Sequence, residues 1–484
     1  MTAPALETLL AAAPPSSAVD PAVVLAAAER GATVVVLDDD PTGTQTVTAL
    51  PIVTRWEVDD LRWAFDQNTV GFCVLTNSRS LSAADARARN RSVIEAVHAA
   101  ADGRRYVLIS RGDSTLRGHH IDEIDEAVAT LARVGWGDVD AVLVVPAFPD
   151  ARRITVDAVH WIFDHTAWLP AGDSSFALDA TFGYRASDLR AFTEERSHGA
   201  LAAGQVEHID LEQVRGDPAA LLERIESITG GRHVVVDAVD ENDLRRICLA
   251  ALRAEERGRR LLYRTSPGLL RPRLGQSPHP PLSAAMVGAA IRRARPTTRH
   301  GLLVVGSHVP LSSRQLDHLL STDTDVQHIV IDVPDLVHGA DPAALLADLV
   351  HRTVAALSVS DVVLSTSRQR VDGTDGDDSL RIARTVSDAL VSTTREVLRL
   401  AEPSFLIGKG GITSSDLATG AVGLRRATIL GSLLPGMVSV WQSDDPALAD
   451  VSATPYAVFP GNVGADDALS QALAAFRAGV NSTG

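Results

Sequence analysis

Residues Phe405–Asp416 read FLIGKGGITSSD, and this stretch decides the fold. The apolar run Phe405-Leu406-Ile407 predicts the end of a buried strand. Gly408, Gly410 and Gly411 surround Lys409 in a loop. Thr413, Ser414, Ser415 and Asp416 are helix-capping types, and an Ala/Leu-rich segment follows from Leu417. The pattern is strand, glycine turn, helix start. Glycines let the backbone approach an anion, and free N–H groups at a helix start favour phosphate. Of 45 Lys and Arg residues, Lys409 is the single lysine. A compact ammonium and a planar guanidinium are not interchangeable at a tight phosphate site, so Lys409 is expected to hold phosphate. The loop does not fit G-x-x-x-x-G-K-[ST]. Taken alone, it is equally compatible with an ordinary strand-to-helix turn.

Outward from this loop, short apolar runs alternate with longer Ala/Leu/Arg helical patterns. Strands are predicted at 33–37, 71–75, 106–109, 141–145, 233–236, 302–305, 328–331, 361–364, 405–407 and 438–441, with amphipathic helices between them. This alternation predicts an α/β protein whose mainly parallel sheets are flanked by helices. The length of 484 residues calls for two domains. A Pro/Gly/Ser-rich stretch, residues 266–282, reads as a linker between a front domain (31–265) and a back domain (283–484). Residues 1–30 read as a partly helical or frayed arm without the basic start of a signal peptide.

In such folds, ligands bind where strands end. The front strands end in polar clusters: Asp38-Asp39-Asp40-Pro41-Thr42-Gly43, Thr76-Asn77-Ser78-Arg79, Ser110 to Gly118, and Pro146 to Pro149 with Arg152 and Arg153. Adjacent carboxylates raise one another's pKa unless a cation or ligand intervenes. Arginine forks hold carboxylates, while Asp, Ser and Thr bind hydroxyls. Together the clusters describe a pocket for a small polyhydroxylated acid. Each alone is ordinary turn chemistry. His119 and His120 are adjacent, so they do not face the same way on a helix; they read as pocket wall or surface rather than metal ligands. In the back domain, Gly306-Ser307, the Lys409 loop and Pro460-Gly461 are junctions suited to a nucleotide. Asp372–Asp378, DGTDGDD, reads as a solvated loop and lacks the EF-hand order.

The net charge of −16 argues against a nucleic-acid surface. Cys73 and Cys248 form no C-x-x-C pair, which fits a reducing, cytoplasmic setting. No apolar run reaches membrane-spanning length.

With these residues in view, the chain resembles the four-carbon acid sugar kinases, the tetronate kinase family. Asp39-Asp40-Pro41-Thr42-Gly43 matches D-D-x-T-G, and Arg111 to Gly118 matches R-x-D-S-T-x-R-G without a break. Pro146–Pro149 matches P-A-F-P. Gly306 to Gln315, Gly410-Gly411-Ile412-Thr413-Ser414 and Gly461-Asn462-Val463-Gly464 are similar to G-S-x-S-x-x-T-x-x-Q, G-G-E-T-S and G-N-F-G. Val309, Ile412 and Val463 replace a Ser, a Glu and a Phe of the pattern, and Pro460 stands where a Ser is usual. The matches keep the family's order from about residue 33 to residue 464.

The resemblance implies a sugar-acid domain followed by a nucleotide domain, with the active site in the cleft between them. It implies ATP-dependent phosphorylation of a hydroxyl, usually O4, of 3-oxotetronate, threonate or erythronate. Asp39, Asp40, Arg111, Asp113, Ser114, Thr115 and Arg117 would contact the substrate. Ser307, Gly410, Gly411, Ile412, Thr413 and Gly461 would contact ATP. Arg111 or Arg117 is expected to clamp the substrate carboxylate, Asp39 to act as base, and Lys409 to hold the phosphates with Mg2+ bridging them. No protein ligand to the metal is assigned. The partners expected are the sugar acid and ATP, with neither nucleic acid nor membrane, and a homodimer is one assembly open to the chain. Rival readings are a non-catalytic sugar-acid sensor on the same fold and a kinase for a longer aldonate. An NAD enzyme is disfavoured, because no G-x-G-x-x-G follows the first strand.

Overall fold

The computed structural model describes residues 5–164, 166–339, 341–368, 371, 376–444 and 453–482. The chain forms two compact units, Met1–Pro278 and His279–Gly484.

The first unit contains β1 (Thr33–Asp38), β2 (Leu50–Val53), β3 (Gly71–Leu75), β4 (Tyr106–Arg111), β5 (Ala141–Val145), β6 (Arg153–Val156), β7 (Val159–Phe163), β8 (Trp168–Pro170), β9 (Glu207–Ile209), β10 (Arg232–Val236) and β11 (Leu261–Thr265). Its main sheet runs β2-β3-β1-β4-β11-β5-β10-β9, and its pairs are parallel. The strands are nearly continuous apolar runs because helices such as Ala83–Ala101, His120–Arg133 and Glu241–Glu256 cover them. Val35, Phe72, Leu108 and Val142 are fully or almost fully buried. β6, β7 and β8 form a separate antiparallel sheet.

Strand β1 pairs with β3 on one side and β4 on the other. The chain order reverses there, so a crevice opens at the carboxyl ends of β1 and β4. Asp38–Asp40 and Arg111–Gly118 leave the sheet at that point.

The second unit contains β12 (Leu302–Val305), β13 (Val326–Ile331), β14 (Asp361–Thr366), β15 (Leu406–Lys409), β16 (Arg426–Ser432), β17 (Ser439–Ser443) and β18 (Tyr456–Phe459). Its strands run β13-β14-β12-β15-β18-β17-β16, parallel from β13 to β18 and antiparallel beyond. β12 lies between β14 and β15, giving a second reversal point at the ends of β12 and β15.

Residues 5–30 are partly helical, as the sequence suggested: Leu6, Leu9 and Leu10 sit against the cluster around Ile154 and Trp168, and Asp20 caps a helix at Pro21–Arg30 by accepting from Ala22 N at 2.9 Å. Two sequence expectations need correction. The linker stretch begins with structure. Ser266 caps a helix over Pro267–Arg273 whose Leu269, Leu270 and Arg273 are buried; proline suits the first helical turn, so composition misled. Finally, β15 runs through Lys409, which pairs with Val305 and Phe459. The glycine turn is therefore shorter than expected, and the helix starts at Gly411 rather than near Leu417.

Candidate functional site

At the first reversal point, Asp38 and Asp39 are buried side by side with Arg111. The Arg111 guanidinium pairs with the Asp38 carboxylate, lies 3.1 Å from Asp39 Oδ1, and also donates to the Asp40 carbonyl. Gly43 makes room for it, since a Cβ there would lie 2.3 Å from the guanidinium. Arg111 or Arg117 is the clamp expected for a substrate carboxylate; the two Nη groups of Arg111 are turned to Asp38, Asp39 and the Asp40 carbonyl, while its buried Nε has no hydrogen-bond partner.

Asp39 also receives a two-pronged bond from Arg79, Nε to Oδ2 at 3.0 Å and Nη2 to Oδ1 at 2.6 Å. Arg79 reaches Asp40 Oδ2 at 3.3 Å, and Asp40 caps the turn through Thr42 N at 2.9 Å. Burial pushes Asp39 up to about 7, against the opposing pull of Arg79. The sequence suggested a raised value from neighbouring carboxylates. The largest cause is desolvation, and the like charge that adds to it is Glu123.

Asp113 goes the other way. Burial opposes its charge, but the guanidiniums of Arg79, Arg117 and Arg153 and the Thr115 hydroxyl hold its carboxyl well below the usual range. Arg117 Nε donates to Asp113 Oδ2 at 2.7 Å, and its guanidinium lies 5.1 Å from the Phe176 ring. Arg153 Nη1 donates to Ser114 Oγ at 2.6 Å. The turn needs left-handed backbone at Leu116 (φ 67°) and Gly118 (φ 112°), and a Cβ at Gly118 would come 3.2 Å from Asp39 Oδ2. His119 and His120 are both buried. His120 lines a small cavity with Asp113, Leu116, Arg117, Pro146 and Arg264, and burial holds its ring neutral. The fold thus brings Asp39, Asp40, Arg111, Asp113, Ser114, Thr115 and Arg117 to one crevice.

Arg79 and Arg153 stand in the polar clusters of the sequence, but no motif marks them. Arg264 and Glu123 were missed altogether. Arg264 Nη1 bonds Glu123 Oε2 at 2.5 Å and Ser110 Oγ at 2.7 Å, and it comes from β11, a strand the apolar pattern did not reveal.

At the second reversal point, small residues converge. A Cβ on Gly306 would lie 2.4 Å from Thr413 Oγ1, one on Gly410 3.0 Å from Ser307 Cβ, and one on Gly461 2.8 Å from Ser307 Oγ. Gly410 also has φ 126°. Ser312 Oγ lies 3.0 Å from Ser307 Oγ and 2.8 Å from the Gly461 carbonyl. The result is a backbone cradle, the kind of surface that accepts phosphate. Ser307, Gly410, Gly411, Thr413 and Gly461 all belong to it. Ile412 is 64 % exposed beside the cradle.

Lys409 closes β15 next to this cradle. It is fully buried, donates to the Pro460 carbonyl at 2.6 Å and lies 3.8 Å from the Phe459 ring centre. Burial lowers its pKa to about 7. The expected phosphate contact is replaced by a tether that fixes the turn carrying Gly461. Asp372–Thr374 and Asp375 lie outside the described residues. Among the described residues no group of three or more His, Cys, Asp or Glu is placed to hold a metal.

Comparison with known proteins separates the same two parts. A "Sugar-binding N-terminal domain" model matches residues 34–273, and a "Nucleotide-binding C-terminal domain" model matches residues 302–469. A D-threonate kinase of Bordetella bronchiseptica is 34% identical over 177 residues, which is 37% of each chain. The matched stretch thus spans well under half of that relative's length. Two solved structures share the fold. One is a Haemophilus influenzae protein of a domain family of unknown function, with TM-score 0.61 and 16% identity over 91% of this chain and 100% of that one. The other, from Salmonella typhimurium and described provisionally as a tRNA synthase, has TM-score 0.63 and 16% identity over 91% of this chain and 98% of that one.

Proposed function

This chain belongs to the four-carbon acid sugar kinase family, and we propose that it transfers the terminal phosphate of ATP to a hydroxyl, O4, of a four-carbon sugar acid such as 3-oxotetronate, threonate or erythronate. The observation that carries this reading is the split between two carboxylates in one crevice. Asp39 is raised to about 7 and Asp113 is held charged. Pairs pushed apart in this way mark acid–base assignments.

In this reading Asp39 accepts the proton of the attacking hydroxyl, and Asp113, Ser114 and Thr115 bind the other hydroxyls. Arg117 and Arg153 hold the substrate carboxylate, and Arg79 and Arg111 keep Asp39 in place. Gly306, Gly410 and Gly461 let three turns pack together where a Cβ would meet Thr413 or Ser307, and such a backbone-lined junction suits a nucleotide. ATP supplies the transferable phosphate, and catalysis is then mostly positioning and charge stabilisation. Mg2+ takes most of its ligands from phosphate and water and needs no protein cage. Among the described helices none is long and apolar enough to cross a membrane.

The test is Mg2+- and ATP-dependent ADP release across D- and L-threonate, D- and L-erythronate and their 3-oxo forms. The B. bronchiseptica relative makes D-threonate the first to try. Release with one acid, and none without it, is the expected result. ATP binding with silence across the panel redirects the search to longer aldonates. Acid binding with no ATP binding supports the sensor reading, for which the exposed Ile412 beside the cradle is the motivating feature.

A further inference from the structure

Strand β14 pairs with β12, so the chain leaves β14 next to Gly306 and Ser307. Its exit is pinned: Ser367 N donates to the Ile331 carbonyl at 2.8 Å, and Ser367 Oγ accepts from Val333 N at 3.1 Å. Arg368 follows. Its Nη1 donates to the Ser307 carbonyl at 2.5 Å. Its Nε and Nη2 are sealed from solvent and have no hydrogen-bond partner.

Nε and Nη2 form one edge of the guanidinium, and this chain uses that edge repeatedly to grip two oxygens. Arg79 does so on Asp39. Arg91 does so on Glu126, at 2.7 and 3.0 Å. Arg215 does so on Asp243, at 2.8 Å for both bonds. Among the described residues, Arg368 is the one arginine with both atoms of this edge shielded and unbonded. Burial works against its charge, and Asp317 offsets only part of that. Unpaired charged donors away from water are costly, and such a fork fits a phosphate bidentately. Its anchor, Ser307, is the residue against which Gly410 and Gly461 pack.

We propose that Arg368 is a nucleotide-contacting residue whose Nε–Nη2 edge takes two oxygens of the polyphosphate chain. It fills the role that the sequence suggested for Lys409, whose ammonium is committed to Pro460. This inference rests on the kinase reading and adds to it a residue that no family motif marks. Arg368 is fixed by its own backbone turn and by Ser307, and binding requires the cover over its sealed Nε–Nη2 edge to move aside.

Calorimetric titration of the full chain with ATP, ADP and adenosine tests it, in wild type, Arg368→Met and Arg368→Lys. The expected result is that Arg368→Met weakens ATP and ADP about 10- to 100-fold, the loss of charge-assisted bonds, and leaves adenosine unchanged. Arg368→Lys should keep part of the affinity, because it keeps the charge without the fork. Unchanged ATP affinity in the folded Met variant overturns the proposal and leaves the kinase reading standing. An equal fall for ATP and adenosine also overturns it, since Arg368 would then act only by holding the Ser307 carbonyl. A wild type that binds no nucleotide removes the kinase reading itself.

Discussion

Asp39 and Asp113 stand close in the fold, yet their environments set them far apart. At Asp39 burial outweighs the cations that reach it, Arg79 and then Arg264, and the Glu123 charge adds to the rise. Asp113 has Arg79, Arg117 and Arg153 around it, and there the cations prevail. A base raised to about 7 works only when ionised. We therefore expect kcat/KM for the sugar acid to rise with pH through about 7 and to level off above, in a pH profile of ADP release. Asp39→Asn should lower kcat by about 10²–10⁴ with ATP affinity unchanged, the usual span for a general base. Near-normal kcat in that variant sinks the assignment.

At the scale of elements, both candidate sites lie where a parallel sheet reverses its chain order, at the ends of β1 and β4 and of β12 and β15. Apolar runs bounded by turn residues made most of these strands legible, because strands buried on both faces read as continuous hydrophobic stretches. The motifs placed Asp39, Asp113, Ser307 and Gly410 correctly at strand ends. Arg264 and Arg368 were not legible. Their importance comes from strand neighbours distant in sequence, and arginine is common throughout the chain. Lys409 misled for a related reason: rarity in the sequence says nothing about where an ammonium points. Gly408 shows how tightly β15 is built. A Cβ there would lie 2.3 Å from Tyr456 Oη, and that hydroxyl donates to the Ser414 carbonyl at 2.7 Å. Gly408→Ala should cost about 1–3 kcal/mol by overpacking, measured by urea unfolding, and should weaken nucleotide binding by shifting the helix that starts at Gly411. Wild-type stability would show that Tyr456 can move aside freely.

For the molecule as a whole, the two units carry different reactive side chains. Cys73 and Cys248 belong to the first unit, and both are free and buried. Burial pushes each thiol up to about 12, so thiolate is scarce and access is closed. Ellman's reagent should find no thiol in the native protein and two per chain in denaturant; rapid native labelling would mean that the first unit opens readily. Lys409 is the counterpart in the second unit, a single side-chain amine sealed under Phe459 and Pro460. A surface decorated with guanidiniums offers acyl donors, whether synthetic esters or metabolic acyl phosphates, no lysine amine. Acylation of Lys409, read by mass spectrometry, is therefore a molecular record of chains whose second unit has come undone.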